Sequence, residues 1–166
     1  MRIRAILDLI PYGEDWRRAG EYLKQVLGDI GIKLELRYED VPTWLKRIYH
    51  NYDFVMNVNY FYQLPDPVLG VHRHYGTDQI RKGTHFVNSS RYSNSELDEL
   101  LASGATEANA QKRTQIYKKI QEILARDMPV VNLFELQFLT VYNTKLKGAY
   151  NSALGAYASF SEAYLD

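Results

Sequence analysis

The run Tyr52-Asp53-Phe54-Val55-Met56-Asn57-Val58-Asn59-Tyr60-Phe61-Tyr62-Gln63-Leu64-Pro65-Asp66-Pro67 decides the fold. Phe54, Met56 and Val58 alternate with smaller or polar residues, the period of two that gives a strand one buried face. Three aromatics, Tyr60, Phe61 and Tyr62, then arrive where pairing should end. Pro65 and Pro67 cannot extend a ladder. A buried strand that stops at an aromatic, proline-punctuated loop is how an open α/β sheet builds the wall of a ligand crevice at its carboxyl edge.

Towards the amino terminus, residues 2 to 9 alternate as a strand, with Ile3, Ala5 and Leu7 on one face and Arg2 and Arg4 on the other. The segment from Asp15 to Ile30 sets Ala19, Leu23, Val26, Leu27 and Ile30 at helical spacing, and Gly31 stops it. Ile32, Leu34 and Leu36 alternate against Lys33, Glu35 and Arg37 as a second strand. Pro42 opens a short helix carrying Trp44, Leu45 and Ile48. Strand, helix, strand, short helix, strand is the grammar of an α/β sheet.

Towards the carboxyl terminus, residues 66 to 92 read as an excursion broken by Gly70, Gly76 and Gly83. Ser93-Asn94-Ser95-Glu96 has capping-box spacing ahead of a helix with Leu97, Leu100 and Leu101 on its apolar face. A longer helix from about Asn109 to Asp127 carries Ile116, Ile120, Ile123 and Leu124, and Met128-Pro129 ends it. Val130, Val131 and Leu133, then Phe138, Thr140 and Tyr142, predict a pair of strands. The tail after Gly148 has no clear period, and its Tyr150, Tyr157, Phe160, Tyr164 and Leu165 would stay exposed unless something covers them.

At 166 residues the chain reads as one domain, 1–166, large enough to bury a core without staples. Lysine plus arginine equals aspartate plus glutamate at 20 each, so no net field draws nucleic acid or an anionic membrane, and neither is expected as a partner. The absence of cysteine removes disulfides, thiol nucleophiles and Cys-ligated zinc. No secretory signal and no run of roughly 18 apolar residues is found, so the chain as written is expected to be soluble and unexported.

Phosphate loops of the GxGxxG or GxxxxGK type are absent, as is a GxSxG elbow. Glu96, Asp98 and Glu99 fit the first turn of a helix by its dipole alone. His72 and His74, two apart and near Asp78 and His85, would share a face on a strand and form a metal pair. They carry the alternative reading of a small metal-dependent hydrolase, although no metal-ligand spacing surrounds them. Candidate ligand-binding residues are Trp44, Tyr60, Phe61, Tyr62, Gln63 and Asn88: rings from the ends of neighbouring strands, with neutral groups to orient a polar solute. Each ring serves equally well as core packing. No catalytic residue, metal or cofactor is expected, and an interaction domain is a further alternative.

Taken in order, several residues resemble the carboxyl-terminal lobe of the dipeptide- and oligopeptide-binding class of extracytoplasmic solute-binding proteins, the receptors of ABC importers. They are Gly31-Ile32 before a strand ending in Glu39-Asp40; Trp44; Tyr52-Asp53-Phe54; Asp66-Pro67; Asn88; Tyr92-Ser93-Asn94; Asp98-Glu99-Leu100-Leu101; Arg113; Tyr117; Ile120-Gln121; and Asp127-Met128-Pro129-Val130. The resemblance covers essentially the whole chain. It implies an α/β fold with a mixed β-sheet flanked by helices, one lobe of a two-lobed periplasmic-binding-protein-like architecture. It also implies a non-enzymatic role in taking up a peptide or related polar solute, with an ABC permease as partner of a periplasmic or extracytoplasmic parent. The chain is then expected to be a fragment lacking its amino-terminal lobe, with 149–166 returning towards that lobe and the uncovered surface prone to self-association. Peptide-binding members carry an Asp that pairs with the peptide's amino group, and Gln63 stands at the best-matching position. A neutral amide supplies no charge there, which shifts weight towards sugars, conjugates or chelates.

Overall fold

Three short parallel strands form the centre of the molecule, the first in chain order lying between the second and the third. The computed structural model describes residues 3–62, 64, 66–137, 139–150 and 159–166. β1 (Ile3–Leu9) leads through α1 (Glu14–Asp29) into β2 (Ile32–Arg37), which lies parallel to β1 with Leu7 opposite Leu36. The chain then passes through α2 (Val41–Leu45) and a π-helical turn (Lys46–Asn51) to β3 (Met56–Val58), on the other side of β1. The expected α/β architecture is present. The sheet itself is wholly parallel, and an antiparallel pair stands apart, formed by β4 (Leu146–Lys147) and β5 (Tyr164–Leu165).

β1 is amphipathic in a sense that its alternation alone does not reveal. Leu7 and Leu9 point to one face and are fully buried, while Asp8, on the opposite face, is 1% exposed. Its carboxylate accepts two bonds from Arg37, at 2.6 and 2.8 Å, and Arg47 approaches to 3.8 Å. Arg47 also holds Glu39 at 2.7 Å and pairs with Asp53. The Arg47 guanidinium therefore holds the Glu39 carboxyl below its ordinary range.

On the leucine face α1 comes unusually close. A Cβ at Gly20 would overlap the Leu9 methyl groups, and Leu9 is itself fully buried. Alanine would gain helix propensity at this position yet force a packed core apart. Gly20→Ala is expected to cost about 1–2 kcal/mol, read as a lower urea midpoint; a raised midpoint would contradict this packing.

A second core lies between α4 (Ser95–Thr106) and α5 (Ala110–Asp127), where Leu97, Leu101, Ile120 and Ile123 are buried against Val71 and Tyr75 of α3 (Val71–Tyr75). The cap of α4 is Asn94, whose side chain accepts from the Leu97 N–H at 3.1 Å. Ser93, expected as the capping residue, lies one position outside the helix and bonds Thr77 instead, because the helix starts at Ser95. The two strands expected between 130 and 142 are not formed among the described residues. Val131, Leu139 and Val141 are 63%, 91% and 95% exposed, and a segment without a neighbour to pair with stays irregular. Phe138 and part of the tail, 151–158, lie outside the described residues.

Candidate functional site

The carboxyl ends of β1 and β3 lie side by side at the point where the strand order reverses, β1 being followed through α1 by β2 on one side while β3 pairs on the other. Crevices in open parallel sheets form at such a switch point. The parallel ladder is extended there by the Ile10 N–H donating to the Val58 carbonyl at 3.1 Å. Beyond it residues 10–13 turn sharply into α1, with Gly13 at φ 116°, a conformation that side chains disfavour.

Aromatic rings from both exits meet at this edge. Tyr60 stacks on Trp16 with centroids 5.6 Å apart and an interplanar angle of 26°, and Tyr12 meets Tyr60 edge-on at 6.0 Å. Phe134, from the segment after α5, closes on Trp16 at 6.2 Å. Trp16 is buried by these neighbours, whereas Tyr12, Tyr62 and Phe134 are 42%, 40% and 55% exposed, so the outer side of the set faces solvent. The Asn59 side chain fixes the entry to this loop. It donates to the Tyr49 phenol at 2.6 Å and accepts from the Tyr60 N–H at 2.8 Å. Burial pushes the Tyr49 phenol up to about 12, so it stays neutral as a hydrogen-bonding post.

Phe61 contacts a different neighbour, its ring tilted 32° against His74 with centroids 3.7 Å apart. The imidazole is 2% exposed and neither ring nitrogen has a hydrogen-bond partner among the described residues. Burial, with the charge of Arg73 a smaller contribution, lowers its pKa to about 3. A depression of about 460 Å³ lies beside the end of β1, lined in part by Pro11, Arg17, Glu39 and Asp40. Its two carboxylates are already engaged, Glu39 by Arg47 and Asp40 by the Thr43 N–H.

Of the residues singled out in the sequence, Tyr60, Phe61 and Tyr62 sit on or beside this rim. Trp44 is 1% exposed in the sheet core, edge-on to Tyr49 at 5.8 Å, and does not reach the surface. Asn88 is also buried. Its amide donates to the Gly76 and Tyr92 carbonyls and its oxygen accepts from Ser90, which ties the loops together and leaves nothing for a solute. Gln63 lies outside the described residues. His72 and His74 belong to the helix α3, where residues two apart point roughly 200° away from each other, not to a strand that would align them. Among the described residues no group of three potential metal ligands converges. Tyr12, Trp16 and Phe134 join the rim without having been singled out. Tyr12 alone carried a signal, since it follows β1 as Tyr60 follows β3.

The rim offers ring faces at the edge of the sheet. No family model matches the chain. The peptide transport periplasmic protein SapA of Haemophilus influenzae is 24% identical over 151 residues, 89% of this chain and 26% of that protein. AppA from Clostridium difficile superposes over 100% of this chain and 34% of its own, with a TM-score of 0.81 and 24% identity. The fold is that of one lobe of a solute-binding protein. The ABC-transporter substrate-binding protein CtaP from Listeria monocytogenes covers 75% of the lobe and 24% of its own chain, at 28% identity and a TM-score of 0.64. The lobe thus spans between 24% and 34% of the length of these relatives. No helix among its described residues is long and apolar enough to cross a membrane.

Proposed function

We propose that this chain is the carboxyl-terminal lobe of the solute receptor of an ABC importer, and that Tyr12, Trp16, Tyr60, Phe61, Tyr62 and Phe134 form half of its cleft. The observation that carries the reading is the stacked, solvent-facing aromatic set at the β1/β3 switch point of this fold. The solute is a peptide or a related polar molecule, as the name of SapA indicates for that protein. The parent works outside the cytoplasm, and its closed form is presented to a permease. Closure around the solute is a hinge movement of two lobes that buries the ligand between them. The lobe catalyses no reaction.

The facing lobe also accounts for what this lobe leaves bare. Val131, Leu139 and Val141, exposed and in no regular element, supply an apolar surface for it to cover. Copies of the isolated lobe are expected to associate through this surface, a tendency that sedimentation at several concentrations measures.

With one wall missing, a ligand buries only half of its surface, and affinity falls accordingly. Titration calorimetry with short peptides is expected to give millimolar affinity at best, abolished by Tyr60→Ala. Micromolar affinity would contradict the half-cleft, and binding indifferent to Tyr60→Ala would contradict the rim.

A further inference from the structure

The chain from Tyr60 to Asp66 carries three aromatics of the rim, and at its far end one arginine ties it to the helical core. Arg113, near the start of α5, donates from Nη2 to the Asp66 Oδ1 at 2.8 Å and from Nε to the Gly104 carbonyl of α4 at 2.9 Å. Its guanidinium also lies over the Tyr117 ring, one turn along the same helix, at 5.4 Å. The same Asp66 oxygen accepts from the Val68 N–H at 2.9 Å, which caps the turn Pro67–Leu69 leading into α3. One planar fork thereby joins α4, α5 and the end of the aromatic loop, with its orientation set by two acceptors. The start of the loop belongs to the sheet core instead, where Asn59 bonds the Tyr49 phenol at 2.6 Å and Tyr60 stacks on Trp16.

From this geometry we infer that Arg113 is a positioning residue of the cleft: through Asp66 it fixes the far end of the aromatic loop, and with it the pose in which Tyr60 meets Trp16. A loop held at its start alone keeps backbone freedom that the rings must lose each time they take up a solute; holding both ends removes that freedom beforehand. The Arg113 and Asp66 side chains are 29% and 45% exposed, and an ion pair so open to water adds little to global stability. Its effect is therefore local, on the loop it holds. The inference rests on the cleft reading for the use made of the rim, but its geometric part stands without a ligand.

The test first reads the two indole N–H resonances of the ligand-free chain, which holds two tryptophans. Trp16 feels the ring current of the stacked Tyr60, while Trp44, 1% exposed in the sheet core, is the internal reference. Arg113→Gln is expected to move the Trp16 resonance towards its position in the unfolded chain and to leave Trp44 in place. Asp66→Asn, which keeps an acceptor for the Val68 N–H, is expected to act alike, and the double variant to go no further than the larger single. Leu124→Ala weakens the α4–α5 core without touching the pair, and is expected to leave both indoles unmoved. Trp16 unmoved in Arg113→Gln, moved equally by Leu124→Ala, or moved additively in the double variant overturns the positioning role. Short peptides are then titrated against the Trp16 resonance, and Arg113→Gln is expected to reduce its initial slope about tenfold, the worth of one hydrogen bond to a charged group. An unchanged slope overturns the inference. A parent chain without any peptide response, whose ligand-free shifts nevertheless follow the expected pattern, would sink the cleft reading and leave Arg113 as the residue that orders the rim.

Discussion

Between pH 6.5 and 4.5 the protein is expected to lose about 2–3 kcal/mol of stability, and His74→Leu to remove most of that loss. The cause is one buried ring. In the unfolded chain an imidazole takes up its proton near pH 6.5. In the folded lobe burial lowers that pKa to about 3, with the neighbouring charge of Arg73 acting in the same direction. A depressed value in the folded state means that the unfolded state binds the extra proton. The penalty is absent above pH 6.5, grows by about 1.4 kcal/mol per pH unit as the pH falls, and levels off near the folded value. The carboxylates act in a separate window. Asp66, Asp127 and Glu39 have depressed values held by Arg113, Arg126 and Arg47, so their stabilisation is complete above the ordinary carboxylate range and is lost only below it. Urea midpoints at several pH values between 7 and 4.5 isolate the His74 contribution. A flat profile for the parent protein, or an equally steep one for His74→Leu, contradicts the assignment.

Arg37→Met is expected to destabilise the lobe by about 3 kcal/mol, because it strips Asp8 of its bidentate partner while the carboxylate remains buried. Arg47, at 3.8 Å and already shared with Glu39 and Asp53, cannot take over the geometry. Breaking one partner of a buried pair costs more than replacing both, since the remaining charge is left without compensation. The double variant Asp8→Leu, Arg37→Met is therefore expected to recover to within about 1 kcal/mol of the parent. Equilibrium unfolding of the three variants closes the cycle. If the double variant is as unstable as the sum of the singles, the pair is not coupled and Asp8 contributes in another way.

The elements with a strong period were legible in the sequence. Both sheet-flanking alternations, β1 and β2, and the long stripes of α1 and α5 lie where periodicity places them, because burial of one face sets both the pattern and the structure. β3 is a shorter strand than its alternation promised, pairing only over Met56–Val58. The misplaced strands after Met128 share one physical cause: strand pattern records that a face wants cover, not where the cover comes from. Within the site, the sequence showed that Tyr60, Phe61 and Tyr62 end a strand, but not which rings come from elsewhere to meet them. Trp16 and Phe134 are 118 positions apart and nothing local links them. Trp44 and Asn88 were read for their chemistry, and their roles are set instead by burial: one ring in the core, one amide whose hydrogen bonds are spent on its own loops.

The central claim, that the β1/β3 edge is half of a solute cleft, is tested most directly by mapping amide and side-chain shifts of the lobe in the presence of short peptides at millimolar concentration. Perturbations are expected to concentrate at Tyr12, Trp16 and Tyr60, with the Trp16 indole among the largest, and to be weak in the depression lined by Arg17 and Asp40. Perturbations centred on that depression, or spread evenly over the surface with the Trp16 indole unmoved, would contradict it.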